Sequence, residues 1–109
     1  MIVEILYFEG CPNHQPAVER VQAVLREEGI ASQICQVEVP DSETARRLRF
    51  LGSPSIRVNG VDVEPSAVQS EAFGLMCRTY QDGCCHSGVP SPEVIRQALR
   101  FQTGGKQHA

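Results

Sequence analysis

Ile2-Val3-Glu4-Ile5-Leu6-Tyr7-Phe8-Glu9-Gly10-Cys11-Pro12-Asn13-His14 is the stretch on which the fold turns. Residues 2–8 are rich in β-branched and aromatic side chains, which predicts a buried central strand. A helix follows, starting near Pro12 or Asn13. Ala17, Val18, Val21, Val24 and Leu25 recur on one of its faces at helical spacing. Pro16 is tolerated because it falls in the first turn, where N–H groups have no intrahelical partner. Gly29 is the expected residue just past the helix end. Cys11 therefore stands at a helix N-terminus, where the macrodipole and free N–H groups favour negative charge. That placement favours the thiolate, the reactive form of cysteine.

Working outward, residues 32–39 alternate Cys35, Val37 and Val39 with Gln36 and Glu38, which argues a second strand ended by Pro40. Asp41 or Ser42 is placed to cap a short helix reaching about Leu51. Leu48 and Leu51 would give it an apolar face, with Phe50 flanking and Gly52 as the stop. Residues 54–58 read as a third strand. Asn59-Gly60 then signals a two-residue hairpin, with residues 61–64 as the antiparallel partner. Residues 65–74 are polar and irregular, residues 75–80 suggest a further short strand, and Asp82-Gly83 suggests a turn. Ser91-Pro92-Glu93 starts a last helix, whose buried stripe is Val94, Ile95, Ala98, Leu99 and Phe101. The order is β-α-β-α-β-β, an insert over about residues 65–88, then α. A crossover between its parallel strands is expected to be right-handed.

Residues 1–103 suit a single α/β domain, with residues 104–109 as a flexible tail. The net charge of -3 gives no basic stripe for nucleic acid, and Arg46, Arg47 and Arg49 read as a solvated helix face. No apolar run approaches the roughly 20 residues that span a membrane. Residues 1–8 lack the features of an export signal, so a cytoplasmic location is expected. Five cysteines are present: Cys11, Cys35, Cys77, Cys84 and Cys85. An odd count in a reducing compartment points to catalytic, metal-binding or buried thiols rather than a disulfide framework. Cys35, on the apolar face of a strand, reads as packing.

The strand, Gly10-Cys11-Pro12, helix arrangement resembles thioredoxins and glutaredoxins. So does Gly52-Ser53-Pro54-Ser55-Ile56-Arg57-Val58-Asn59-Gly60, which is similar to the cis-proline segment of that superfamily and its hairpin. The resemblance covers residues 2–64 and the last helix. The chain is also similar to small bacterial thioredoxin-family proteins with a Gly-Cys-Pro-Asn loop and a later Cys-Arg-x-Tyr motif, matched by Cys77-Arg78-Thr79-Tyr80. Some of that group are labelled alkylmercury lyase-like. The resemblance implies a thioredoxin-like fold: a four-stranded mixed sheet flanked by helices, with an irregular insert before the last helix. It implies Cys11 as the nucleophile and a cis Pro54. Pro12, Ser53 and Pro54 would contact substrate, the Ser53 backbone pairing with a peptide or glutathione.

His14 is a departure, since a dithiol motif has its resolving cysteine there. As imidazolium it would lower the Cys11 pKa, and as neutral imidazole it would serve as a base. It cannot resolve a disulfide. Resolution then falls to Cys77, to Cys84 or Cys85, or to an external thiol such as glutathione. Three functions follow. One is a thiol–disulfide oxidoreductase acting on protein or low-molecular-weight disulfides without a resident cofactor. The second is a soft-metal protein, for mercury or organomercury, using Cys11 with Cys77 or the Cys84-Cys85 pair. The third is a non-catalytic binding module. Oligomeric state is not legible in the chain.

Overall fold

The computed structural model describes every residue except Pro65, Ser66, Val68, Gln69, Ala72, Cys77, Gly83, Cys84, His108 and Ala109. For residues 81–82, 85–87 and 103–107 it describes the backbone. β1 (Ile2–Tyr7) is an inner strand of a mixed four-stranded sheet in the order β2-β1-β3-β4. β2 (Gln33–Glu38) runs parallel to it and β3 (Ser55–Val58) antiparallel. β4 (Val61–Asp62) pairs antiparallel with β3. Parallel neighbours need a crossover, and α1 (His14–Glu28) supplies it. α2 (Ser42–Arg47) follows β2, and α3 (Pro92–Gln107) ends the α/β architecture. β5 (Tyr80–Asp82) and β6 (Cys85–Ser87) form a separate antiparallel ribbon.

Strand alternation sends side chains to both faces of the sheet. Val3, Ile5, Ile56 and Val58 join Val21 and Val24 of α1 and Ile95 and Leu99 of α3 in the larger core. Leu6 faces the other way, with Val39, Ala45 of α2 and Phe50. Each fully buried Leu, Ile or Phe contributes about 1.5–3 kcal/mol relative to exposure. Glu28 at the end of α1 pairs with Arg96 and Arg100, tying α1 to α3.

The helix ends follow their sequence signals, with two exceptions. Asn13 is the N-cap position of α1, and Gly29 closes it in the left-handed region at φ 65°. The Asp41 carboxylate accepts the Thr44 N–H at 2.7 Å, capping α2. α2 stops at Arg47, however, well before Gly52. Arg49 takes the left-handed turn at φ 57°, and Arg57 donates to the carbonyls of Leu48 and Arg49. The early stop swings Phe50 into the core, fully buried, while Leu51 belongs to neither core cluster. In α3 the Ser91 hydroxyl accepts the Val94 N–H, as a cap does. Phe101 is 79% exposed, not part of the buried stripe. Two residues past Leu99 is about 200° around the helix, so it faces away. α3 continues through Gly104 and Gly105 to Gln107, so the expected tail boundary falls within it.

Asn59 and Gly60 both have positive φ, as a type I′ turn requires. β4 ends two residues earlier than expected, because the Asp62 carboxylate turns back to accept the Glu64 N–H. The described members of residues 75–79 lie outside any strand, contrary to the expected strand. Met76 and Arg78 bond to the loop around Pro54 instead. The Asp82-Gly83 turn lies partly outside the described residues. Among the described residues no helix is long and apolar enough to cross a membrane.

Candidate functional site

Pairing of Leu6 with Ser55 fixes the geometry of the site. β1 and β3 are antiparallel, so Pro54 enters β3 at the end of the sheet where residues 8–11 leave β1. β2, parallel to β1, delivers Val39 and Pro40 to that same end. Cys11 sits in the β1–α1 loop, 9% exposed. Its N–H donates to the Phe8 carbonyl at 3.2 Å and its carbonyl accepts the His14 N–H at 3.3 Å. Gly10 takes φ 88°, a conformation that needs glycine, to turn the chain into this loop. The first turn of α1 holds no acidic residue to offset the partial positive charge of the helix end. Pro12 beside the thiol is exposed.

His14 faces the sheet. Its ring stacks on Tyr7 with centroids 3.6 Å apart and planes 6° from parallel. Its Nε2 lies 2.7 Å from Gln36 Oε1. Tyr7 and Gln36 lie on the α1 side of β1 and β2, so His14 is held by the strands. Among the described residues no hydrogen bond joins it to Cys11 Sγ.

The Ser53–Pro54 peptide bond is cis, as the resemblance implied. Ser53 is fully buried and the Pro54 side chain is less than 2% exposed. The Ser53 N–H donates to the Met76 carbonyl at 2.8 Å, and the Ser53 carbonyl accepts the Arg78 N–H at 2.9 Å. The backbone bonds that the resemblance assigns to a substrate are thus made within the chain. Gly52 permits this approach: a methyl there would lie 3.0 Å from the Met76 oxygen and 3.1 Å from Arg78 Cβ. The Tyr80 hydroxyl donates to the Pro54 carbonyl at 2.6 Å. Burial pushes the Tyr80 phenol far above its ordinary pKa, outweighing the nearby Arg78 charge, so it remains a protonated donor. Arg78 donates to Ser55 Oγ and makes a bidentate, nearly buried pair with Asp62 at 2.7 and 2.9 Å. Burial alone would lower the Arg78 pKa; the hydrogen bonds to Asp62, together with the electrostatic pull of Tyr80, Asp62 and Glu64, outweigh it, and it stays a cation. The Ser55 hydroxyl donates to the Gly52 carbonyl at 2.6 Å. The Ser53 hydroxyl, by contrast, is buried with no hydrogen-bond partner among the described residues.

The other thiols are placed unevenly. Cys35 is half-buried on the edge strand β2, beside Glu4, less enclosed than expected for a packing residue. Cys77 and Cys84 lie outside the described residues. Cys85 pairs with Asp82 across the β5–β6 ribbon. The chain leaving that ribbon returns to the Cys11 loop, because a methyl on Gly88 would overlap Asn13 Nδ2 at 2.1 Å. Pro90 then accepts a hydrogen bond from Arg20 of α1. Residues 77–80 stand out in the sequence for Cys77, whereas in the structure Arg78, Tyr80, Gly52 and Asp62 are the residues that build this loop. The available signal was the Arg78, Tyr80 alternation, which puts two long polar side chains on one face of an extended segment.

Among models of known protein families, curated proteins and solved structures, none matches this chain.

Proposed function

We propose that this protein is a thiol–disulfide oxidoreductase of thioredoxin-like fold, with Cys11 as its nucleophile. The observation that carries this reading is the meeting of two loops at one sheet end: a thiol before a helix N-terminus, and a buried cis-proline segment. The element order and the mixed sheet support the fold assignment; the chemistry is inferred from the site. The Cys11 thiolate attacks one sulfur of a disulfide, forming a mixed disulfide and expelling the other half as a thiolate. A second thiolate, from an external small thiol, attacks the mixed disulfide. It takes the substrate half into a new mixed disulfide and returns Cys11 as thiolate; a second external thiolate then attacks that mixed disulfide and releases the substrate half, so one disulfide is reduced while two external thiols are oxidised to one disulfide. Position 14 is histidine, held by Tyr7 and Gln36, so the second thiolate comes from elsewhere: an external thiol in this scheme, with Cys77, Cys84 or Cys85 as the alternative resolvers.

The test is catalysed reduction of a small disulfide by excess dithiothreitol, comparing the protein with Cys11→Ser. Turnover that depends on Cys11 supports the reading. Equal rates in the two proteins contradict it. Tight stoichiometric binding of mercuric ion at Cys11 without turnover would favour the soft-metal function, and inertness to both would leave a binding module.

A further inference from the structure

We propose that the backbone at Met76 and Arg78, with the Tyr80 phenol, is a built-in occupant of the Pro54 edge. It closes that edge to extended peptides and restricts Cys11 to low-molecular-weight, non-anionic disulfides. This inference rests on the oxidoreductase reading and narrows its substrate class.

A sheet edge recognises an extended chain through its free N–H and C=O groups. At Ser53 both are already engaged, at 2.8 and 2.9 Å. A backbone N–H donates one good hydrogen bond, so a peptide must displace Met76 before it can pair there. The next carbonyl, of Pro54, holds the Tyr80 hydroxyl. Displacement would also disturb the bidentate Arg78–Asp62 pair, which lies almost out of solvent. The covering is complete enough that Ser53 and Pro54 present essentially no surface. Gly52 is the residue that lets the covering chain sit so close.

A different opening borders the same loop. A cleft of about 390 Å³ is lined by Phe8, Glu9, Glu38, Val39, Pro40 and Leu75. Phe8 and Glu9 belong to the loop that carries Cys11. The charged groups of the cleft are two carboxylates, Glu9 and Glu38. Like charges repel, so an anionic disulfide is disfavoured there relative to a neutral or cationic one. A small cationic disulfide such as cystamine fits the charge, whereas glutathione disulfide does not.

The experiment measures single-turnover formation of the Cys11 mixed disulfide with cystamine, glutathione disulfide and an extended peptide disulfide. It uses the full chain, Cys11→Ser and Tyr80→Phe. The expected order is cystamine fastest and peptide slowest. Tyr80→Phe should raise the peptide-to-cystamine rate ratio about fivefold, the worth of one neutral hydrogen bond. A peptide rate matching cystamine in the unaltered protein, or an unmoved ratio in Tyr80→Phe, overturns the proposal. A Cys11 that takes no adduct from any disulfide defeats the oxidoreductase reading instead. In that event the occupied edge is still tested by hydrogen exchange. A Ser53 amide that is protected, and exchanges faster in Tyr80→Phe, supports self-occupation, while a freely exchanging Ser53 amide refutes it.

Discussion

The Cys11 loop and the Pro54 loop meet at one end of the sheet and are held in opposite ways. Two long main-chain hydrogen bonds steady Cys11, at 3.2 and 3.3 Å. The Pro54 loop is fixed by bonds at Ser53, Pro54 and Ser55, of 2.6–2.9 Å except for the 3.2 Å bond from Arg78 to Ser55, and all but one reach it from Met76, Arg78 and Tyr80. A sulfur that must change partners needs a free side chain. The surface against which it works needs to be rigid, since a small misplacement slows a positioned reaction. Substitutions in the first loop should therefore alter chemistry, and substitutions in the second should alter stability.

Cys11→Ser gives the largest expected effect: loss of Cys11-dependent turnover, with a thermal midpoint close to that of the unaltered protein. A large fall in midpoint would break the contrast by giving Cys11 a structural role. Next is Asp62→Ala, which leaves the nearly buried Arg78 guanidinium unpaired. Urea unfolding should report a loss of about 3–5 kcal/mol. A loss under about 1 kcal/mol would mean the pair behaves like an exposed one.

The two serines flanking Pro54 sharpen the comparison further. Ser55→Ala removes a donor to Gly52 and an acceptor for Arg78, and should cost about 1–3 kcal/mol in the same assay. Ser53→Ala removes a buried hydroxyl without a described partner, and should leave stability unchanged or raise it by up to about 1 kcal/mol. Equal effects at the two positions would contradict the hydrogen-bond assignment.

The smallest effect lies outside both loops. The Thr44 backbone N–H, accepted by the Asp41 carboxylate, holds its pKa below the ordinary value of 3.8. A depressed acid contributes stability above its unfolded pKa and loses it as pH falls through the folded value. Asp41→Asn should therefore flatten the fall in stability below about pH 4, measured by unfolding across the acid range. An unchanged slope would show that the cap carries no linkage.

Much of the frame was legible because it rests on local signals. Residues 2–8, the helical stripe from Ala17 to Leu25, and Asn59-Gly60 each declare their structure through spacing or φ preference. Cys11 was legible for the same reason, since strand, loop and helix start are contiguous. What the sequence hid is non-local. Residues 75–80 look like a strand by composition, yet the bonds to Ser53, Pro54 and Asp62 link positions more than a dozen residues apart. His14 reads as a neighbour of Cys11, but its stacking on Tyr7 and bond to Gln36 depend on strand register. Phe50 lies in the core rather than flanking the helix because Arg49, a non-glycine residue, takes the positive φ that ends α2 early.

The central claim is that Cys11 is the nucleophile, and the order of cysteine modification tests it most directly. The folded, reduced protein is exposed to less than one equivalent of cystamine, and each cysteine is followed by peptide mass spectrometry over time. The account predicts that the first adduct forms on Cys11 and is released by added thiol, while Cys35 stays unmodified. First modification at Cys77, Cys84 or Cys85, with Cys11 untouched until the protein unfolds, would contradict it.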